Sequence, residues 1–130
     1  MSGFKRFEDI EAWQLARVLC KLIYSYIQRE KFSKDYSTVN QINKSSSSIM
    51  DNIAEGFERG GNKEFIQFLY IAKASCGELR SQLYRVLDRN YINEEEFKDL
   101  FDRSLTISKK LGALINYLKN SDYKGTKYKN

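Results

Sequence analysis

Apolar and polar positions recur along this chain with the period of an α-helix, and four stretches carry the pattern. From Phe7 to about Glu30, steps of 100° gather Ala12, Trp13, Leu15, Ala16, Leu19, Cys20, Leu22, Ile23, Tyr24, Tyr26 and Ile27 into one arc of roughly 200°. Glu11, Gln14, Arg17, Lys21, Ser25 and Gln28 fill the remainder. A helix facing one core needs an apolar stripe of only about 100°. The surplus predicts that this helix is covered twice, by its own bundle and by another subunit.

The pattern breaks around Lys31 to Lys34, where Ser33 is placed to cap a second helix over 34–59. Val39, Ile42, Ser46, Ile49, Ile53 and Gly56 follow there at spacings of three and four, as on a bundle seam. The four serines from Ser45 to Ser48 look like a linker, but they fall inside this periodic run, with Ser46 on the seam. Serine is a mediocre helix former, so tertiary packing must hold the segment. Gly60-Gly61 ends the second helix, and Asn62 is placed to cap a third over 62–89.

The third helix has a compact apolar arc of Phe65, Phe68, Leu69, Ala72, Cys76, Leu79, Leu83, Val86 and Leu87. A second line beside it, Ile66, Tyr70, Lys73, Gly77, Arg80 and Tyr84, interleaves aromatic and basic residues on a face expected to turn away from the core. Asn93 with Glu96 three residues later reads as a capping box opening a fourth helix over 93–119. Its seam is Phe97, Phe101, Ser104, Ser108, Leu111, Ile115 and Leu118, widened by Leu100, Ile107 and Leu114. The expected fold is therefore all-α, an antiparallel up-down-up-down four-helix bundle in one domain spanning 1–120. A basic, flexible tail is expected over 121–130, where Lys124, Lys127 and Lys129 face only Asp122.

Composition sharpens this picture at a few points. The chain of 130 residues has no proline, where average usage of about 5% would supply roughly six, so long helices run unbroken. The cysteines Cys20 and Cys76 fall among apolar positions, as small core residues do. No apolar run approaches a membrane span and no leader is evident, so the expectation is a soluble cytoplasmic protein without membrane contact. The net charge of +5 permits nucleic-acid binding without demanding it.

Histidine is absent, which removes the commonest general base and the usual partner of cysteine at zinc. The glycine pair lacks the Gly-Lys-Ser/Thr of a phosphate loop, and no spacing resembles a catalytic motif. No metal, cofactor or small-molecule substrate is implied, and the expected protein is not an enzyme. One polar line remains. Lys44, Ser48, Asn52, Glu55 and Arg59 share one side of the second helix, and Glu78 and Gln82 stand one turn apart on the third. They form either a groove for a ligand or RNA backbone, or a hydrogen-bonded network that fixes helix register or a subunit contact. The Tyr70, Lys73, Arg80 and Tyr84 line has two parallel readings, a surface for RNA or DNA and a subunit interface.

The central block is similar to a small bacterial four-helix-bundle family that includes proteins encoded in intervening sequences of ribosomal RNA genes. The residues that carry the resemblance begin with Ser48-Ile49, Asn52-Ile53-Ala54-Glu55-Gly56-Phe57 and Arg59. Beyond the turn they are Lys63-Glu64-Phe65, Phe68-Leu69, Ile71-Ala72, Ser75, Glu78-Leu79 and Gln82-Leu83. A weaker match extends to Phe7-Glu8-Asp9 with Trp13, and to Tyr91-Ile92 with Glu95. The family usually has arginines followed by alanines where this chain has Asn43-Lys44-Ser45-Ser46, and proline where it has Ser33. The resemblance implies a ring-forming homo-oligomer, commonly a homopentamer. A more distant group in the same fold serves retroelement reverse transcriptases as nucleic-acid-binding accessory factors. Two functions stay open: a non-enzymatic, oligomeric RNA-binding protein, and a protein-interaction scaffold with no nucleic-acid role.

Overall fold

The computed structural model describes the backbone of residues 3–129 and the side chains of residues 3–121. With no proline to interrupt them, the periodic stretches become long helices. A 3-10 turn at Phe7–Asp9 leads into α1 (Glu11–Ile27), followed by a short α2 (Glu30–Lys34). Three long helices complete the chain: α3 (Tyr36–Glu58), α4 (Asn62–Asp88) and α5 (Glu94–Lys129). No strand forms among the described residues. The boundary expected at residue 120 falls within α5, and the side chains of Lys124, Lys127 and Lys129 lie outside the described residues.

The expected first helix is thus shortened to α1, and the break expected at Lys31 to Lys34 is itself the short helix α2. The turn at Gln28 and Arg29 redirects the chain, and α2 sends Phe32 into the core, 1% exposed and stacked on Tyr91 at 4.8 Å. Periodicity missed Phe32 because one apolar residue in a five-residue helix has no period. The cap of α3 also moves. Asp35, not Ser33, accepts the Thr38 amide at 3.2 Å, while Ser33 sits inside α2 and donates to the Glu30 carbonyl. Asn62 is likewise the first helical residue of α4; extended Gly61 takes the cap position without a side-chain bond.

Other ends form as expected. Gly60 adopts a φ of 87° at the end of α3, which glycine reaches without Cβ strain. At the end of α4, Asn90 takes a φ of 62°, and the Tyr91 amide donates back to the Val86 carbonyl in a Schellman turn. Asn93 and Glu96 exchange reciprocal bonds of 2.9 and 2.8 Å, completing the capping box. Glu96 also takes a two-pronged ion pair from Arg29, tying the α1 terminus to the start of α5.

The long helices close a square in which α1 touches α3 and α5, α3 touches α4, and α4 touches α5. Each apolar arc turns inward. Leu19 and Ile23, Ile49 and Ile53, Leu69 and Leu79, and Ile107 and Leu111 are all buried. Burying a side chain of this size contributes about 1.5–3 kcal/mol. The register between α3 and α4 is set by small and polar residues. Ser45 donates to Gln82, Ser75 donates to Ser48 at 2.9 Å, and Arg85 donates to Gln41, pairing the helices antiparallel. Ser45 joins Ser46 in the interior, so the seam takes two serines where one was expected. Ser46 is satisfied locally by the Ile42 carbonyl at 2.7 Å, and its own carbonyl accepts the Cys20 thiol.

Gly56 marks the closest approach of α3 to α4. A Cβ there would stand 2.5 Å from the Phe68 Cβ and 3.2 Å from the Phe65 ring. Neither helix can yield without moving its axis. At Gly77 the nearest atom to an added Cβ is the Arg80 Nη2 at 3.8 Å, an ordinary contact. Gly56→Ala should therefore destabilise the fold by about 1–3 kcal/mol despite alanine's better helix propensity. Gly77→Ala should raise stability by about 0.5–1 kcal/mol. Urea unfolding of the two variants against the parent measures both signs.

Asp35 ties the α2–α3 corner to the α4–α5 turn. It accepts hydrogen bonds from the Tyr91 hydroxyl at 2.7 Å, from the Thr38 hydroxyl at 2.9 Å and from Arg89 at 2.9 Å. These donors, the Tyr91 hydroxyl foremost, lower its pKa from 3.8 to about 2. A carboxylate held below its unfolded pKa stabilises the fold above that value and loses the effect as pH falls through the folded one. The urea midpoint should fall more steeply between about pH 4 and about pH 2 in the parent than in Asp35→Asn, which retains a capping side chain. Equal slopes would refute the role.

Candidate nucleic-acid interface

The polar line on α3 does not form one groove. At its C-terminal end, Arg59 pairs with Glu55 at 3.0 Å and Glu64 at 3.9 Å, with its guanidinium 5.0 Å from the Phe68 ring. All three charged groups are exposed, and this cluster joins the ends of α3 and α4. In the middle, Asn52 donates to the Ser48 carbonyl and hydroxyl, both at 2.8 Å, and Ser48 accepts from Ser75. That is a half-buried helix-to-helix network. Lys44 lies about 22 Å from Arg59 along the helix, at 1.5 Å per residue. It lines an open groove with Gln41, Glu78, Ser81, Gln82 and Arg85. Gln82 is itself 6% exposed, with its amide oxygen spent on Ser45, so it holds helices together rather than facing a ligand.

The aromatic and basic line on α4 behaves differently from its expected position on an open face. It runs along the border with α5. Tyr84 leans on Phe97 and Phe101, with ring centroids 5.0 and 5.7 Å away. Arg80 donates to the Ser104 hydroxyl at 3.2 Å, and Ser104 donates in turn to the Cys76 carbonyl at 3.0 Å. The Arg80 guanidinium also stands 6.0 Å from the Phe101 ring. The aliphatic stem of Lys73 passes the bare backbone of Gly112, its Cε 3.6 Å from where a Cβ would sit. At the far end, Lys119 of α5 donates to the Tyr70 hydroxyl at 2.7 Å and lies 5.2 Å from the ring.

The sequence therefore identified the α4 half of this border. The α5 half was not marked as a surface: Phe97, Phe101 and Ser104 belong to the expected seam, where Ser104 is buried and both rings pack on the core, and Lys119 is the last residue of the expected fourth helix. Among the described residues, the hydrogen bonds and ring contacts of Tyr70, Arg80 and Tyr84 across the border involve no carboxylate. Asp99 and Asp102 instead line the groove toward α1 with Leu15, Arg103 and Thr106, where Arg103 and Lys98 pair with them.

Neither cysteine is poised for chemistry. Burial pushes the Cys76 thiol up to about 11, and burial likewise raises Cys20. Among the described residues, no group of three or more His, Cys, Asp or Glu side chains could hold a metal ion, and no helix is long and apolar enough to cross a membrane.

The fold has a counterpart in a solved structure. A protein of unknown function from the S23 ribosomal protein family of Bacteroides thetaiotaomicron matches with a TM-score of 0.73 and 25% sequence identity. The match covers 80% of this chain and 97% of that one. Comparison with curated proteins gives no match. Residues 8–113, from the 3-10 turn to well inside α5, match the family described as 23S rRNA-intervening sequence protein. The seam of Ser48, Gly56 and Ser75 falls within that span, as does the border of α4 with α5 apart from Lys119, and the chain belongs to this family.

Proposed function

We propose that the protein is a non-enzymatic homo-oligomer that binds RNA through the border of α4 and α5. The observation that carries this reading is the run of Tyr70, Lys73, Arg80 and Tyr84, joined by Lys119, whose contacts across the border involve no carboxylate among the described residues. Cations meet phosphates and aromatic faces meet bases, so this pairing of residue types suits nucleic acid. The family's name, which refers to 23S rRNA, points the same way. The pairwise contacts support an up-down-up-down order for the four long helices.

Oligomerisation draws its support from α1. Tyr24 of the apolar arc is 62% exposed, Leu15 and Leu22 are half-buried, and Val18 beside them is 42% exposed, so apolar surface of α1 is left uncovered in a single chain. A second copy would cover it, and the family resemblance favours a homopentamer. In such a ring the +5 charge of each copy would add to its neighbours' field. The same exposed side chains also favour the scaffold reading, in which a partner protein takes the place of a second copy.

Light scattering should give a mass of several copies. Fluorescence anisotropy with a labelled stem-loop RNA should show binding that weakens steeply between about 50 and 200 mM salt, as counterion release requires. Lys73→Gln with Lys119→Gln should reduce that affinity and flatten its salt dependence. A monomer overturns the assembly, and absent or salt-independent binding overturns the RNA role.

A further inference from the structure

We propose that the border of α4 and α5 takes single-stranded nucleic acid, with one base stacked on Tyr84 and the backbone following Arg80, Lys73 and Lys119. This rests on the nucleic-acid reading above and names the form of the ligand. Tyr84 is 52% exposed while its ring is braced by Phe97 and Phe101. A braced ring with an open face loses little freedom when a base stacks on it, and base–aromatic stacking tolerates any sequence.

The cations are in single file. Arg80 stands one helical turn from Tyr84, Lys73 two turns further, and Lys119 beside Tyr70 at the far end. Tyr70 to Tyr84 is about 21 Å at 1.5 Å per residue, the length of about six nucleotides at ~3.4 Å each and fewer in an extended strand. Arg80 is oriented in advance by Ser104 and Phe101, and its guanidinium has five N–H groups, of which the bond to Ser104 uses one. Gly77 and Gly112 add no side chain between the cations, so the Arg80 guanidinium and the Lys73 stem lie close over the helix backbones, 3.8 and 3.6 Å from where each Cβ would sit.

A duplex suits this border poorly. A-form RNA is held by contacts reaching across the minor groove to two backbones, and one file of cations serves one strand. Paired bases also keep their faces stacked on each other, leaving none for Tyr84. The carboxylate of Glu78 lies on the other flank of α4, in the groove with Lys44, and does not interrupt the file.

The test uses the full chain with labelled oligouridine of roughly twelve nucleotides, within the site sizes of single-strand binders, and a duplex of the same length. The single strand should bind at least about tenfold more tightly than the duplex. Tyr84→Ala should weaken the single strand roughly five- to hundredfold, while Tyr84→Phe, which keeps the ring, stays within about twofold. Lys73→Gln should reduce the slope of log K against log salt by about 0.7. Circular dichroism reports whether Tyr84→Ala folds, and the preference for single strand over duplex in the parent decides the matter without it. Equal or tighter binding of the duplex, or a folded Tyr84→Ala with parental affinity, overturns the single-strand proposal while leaving the nucleic-acid reading standing. Absence of binding to either RNA overturns both.

Discussion

The close approach of α3 to α4 is the constraint on which the rest of the bundle depends. At Gly56 the backbone of one helix meets the Phe68 Cβ of the other, with no room for a methyl group. Along the same seam Ser45, Ser48 and Ser75 replace the large side chains that would hold the helices apart. Small residues bury less apolar area, so hydrophobic transfer alone favours this seam less than a leucine-rich one. Its stabilisation comes from close van der Waals contact and from hydrogen bonds in which Ser45 donates to Gln82 and Ser48 accepts from Asn52 and Ser75. Among the described residues, no buried side-chain nitrogen or oxygen lacks a partner.

That seam determines where α4 lies, and so where its opposite edge meets α5. With Phe65, Leu69, Ala72, Cys76, Leu79, Leu83 and Val86 committed to the core, the residues one step round the helix fall at the α5 border. Tyr84, Arg80 and Lys73 are thereby ordered by contacts with Phe101, Ser104 and Gly112 rather than left to wave in solvent. A distance constraint on one side of α4 is in this way converted into a rigid aromatic and cationic border on the other.

The ends of the bundle are held by a separate set of polar contacts. Arg29 with Glu96, and Asp35 with Arg89 and Tyr91, join segments that are far apart in the chain. Arg29 and Glu96 are solvent-accessible, so their ion pair contributes mainly orientation. Phe32 stacked on Tyr91 supplies the apolar part of the same cap. These contacts were not legible beforehand, because pairing across more than fifty residues leaves no local spacing to read.

The sequence by itself determined the four long helices, their inward faces, the capping box at Asn93 and the close-packed role of the serine stretch. Each of these follows from local periodicity or from chemistry within one turn of chain. It also pointed to the α4 half of the border, since Tyr70, Lys73, Gly77, Arg80 and Tyr84 are spaced by threes and fours. Only the tertiary structure divided the α3 polar line, sending Ser48 and Asn52 into a helix contact and leaving Lys44 in an open groove. It alone moved the α3 cap to Asp35 and buried Gln82. The physical reason is common to the division of the polar line and the burial of Gln82. Helical spacing gives the direction of a side chain around its own axis, whereas the group it meets there is set by the rotation and register of the neighbouring helix.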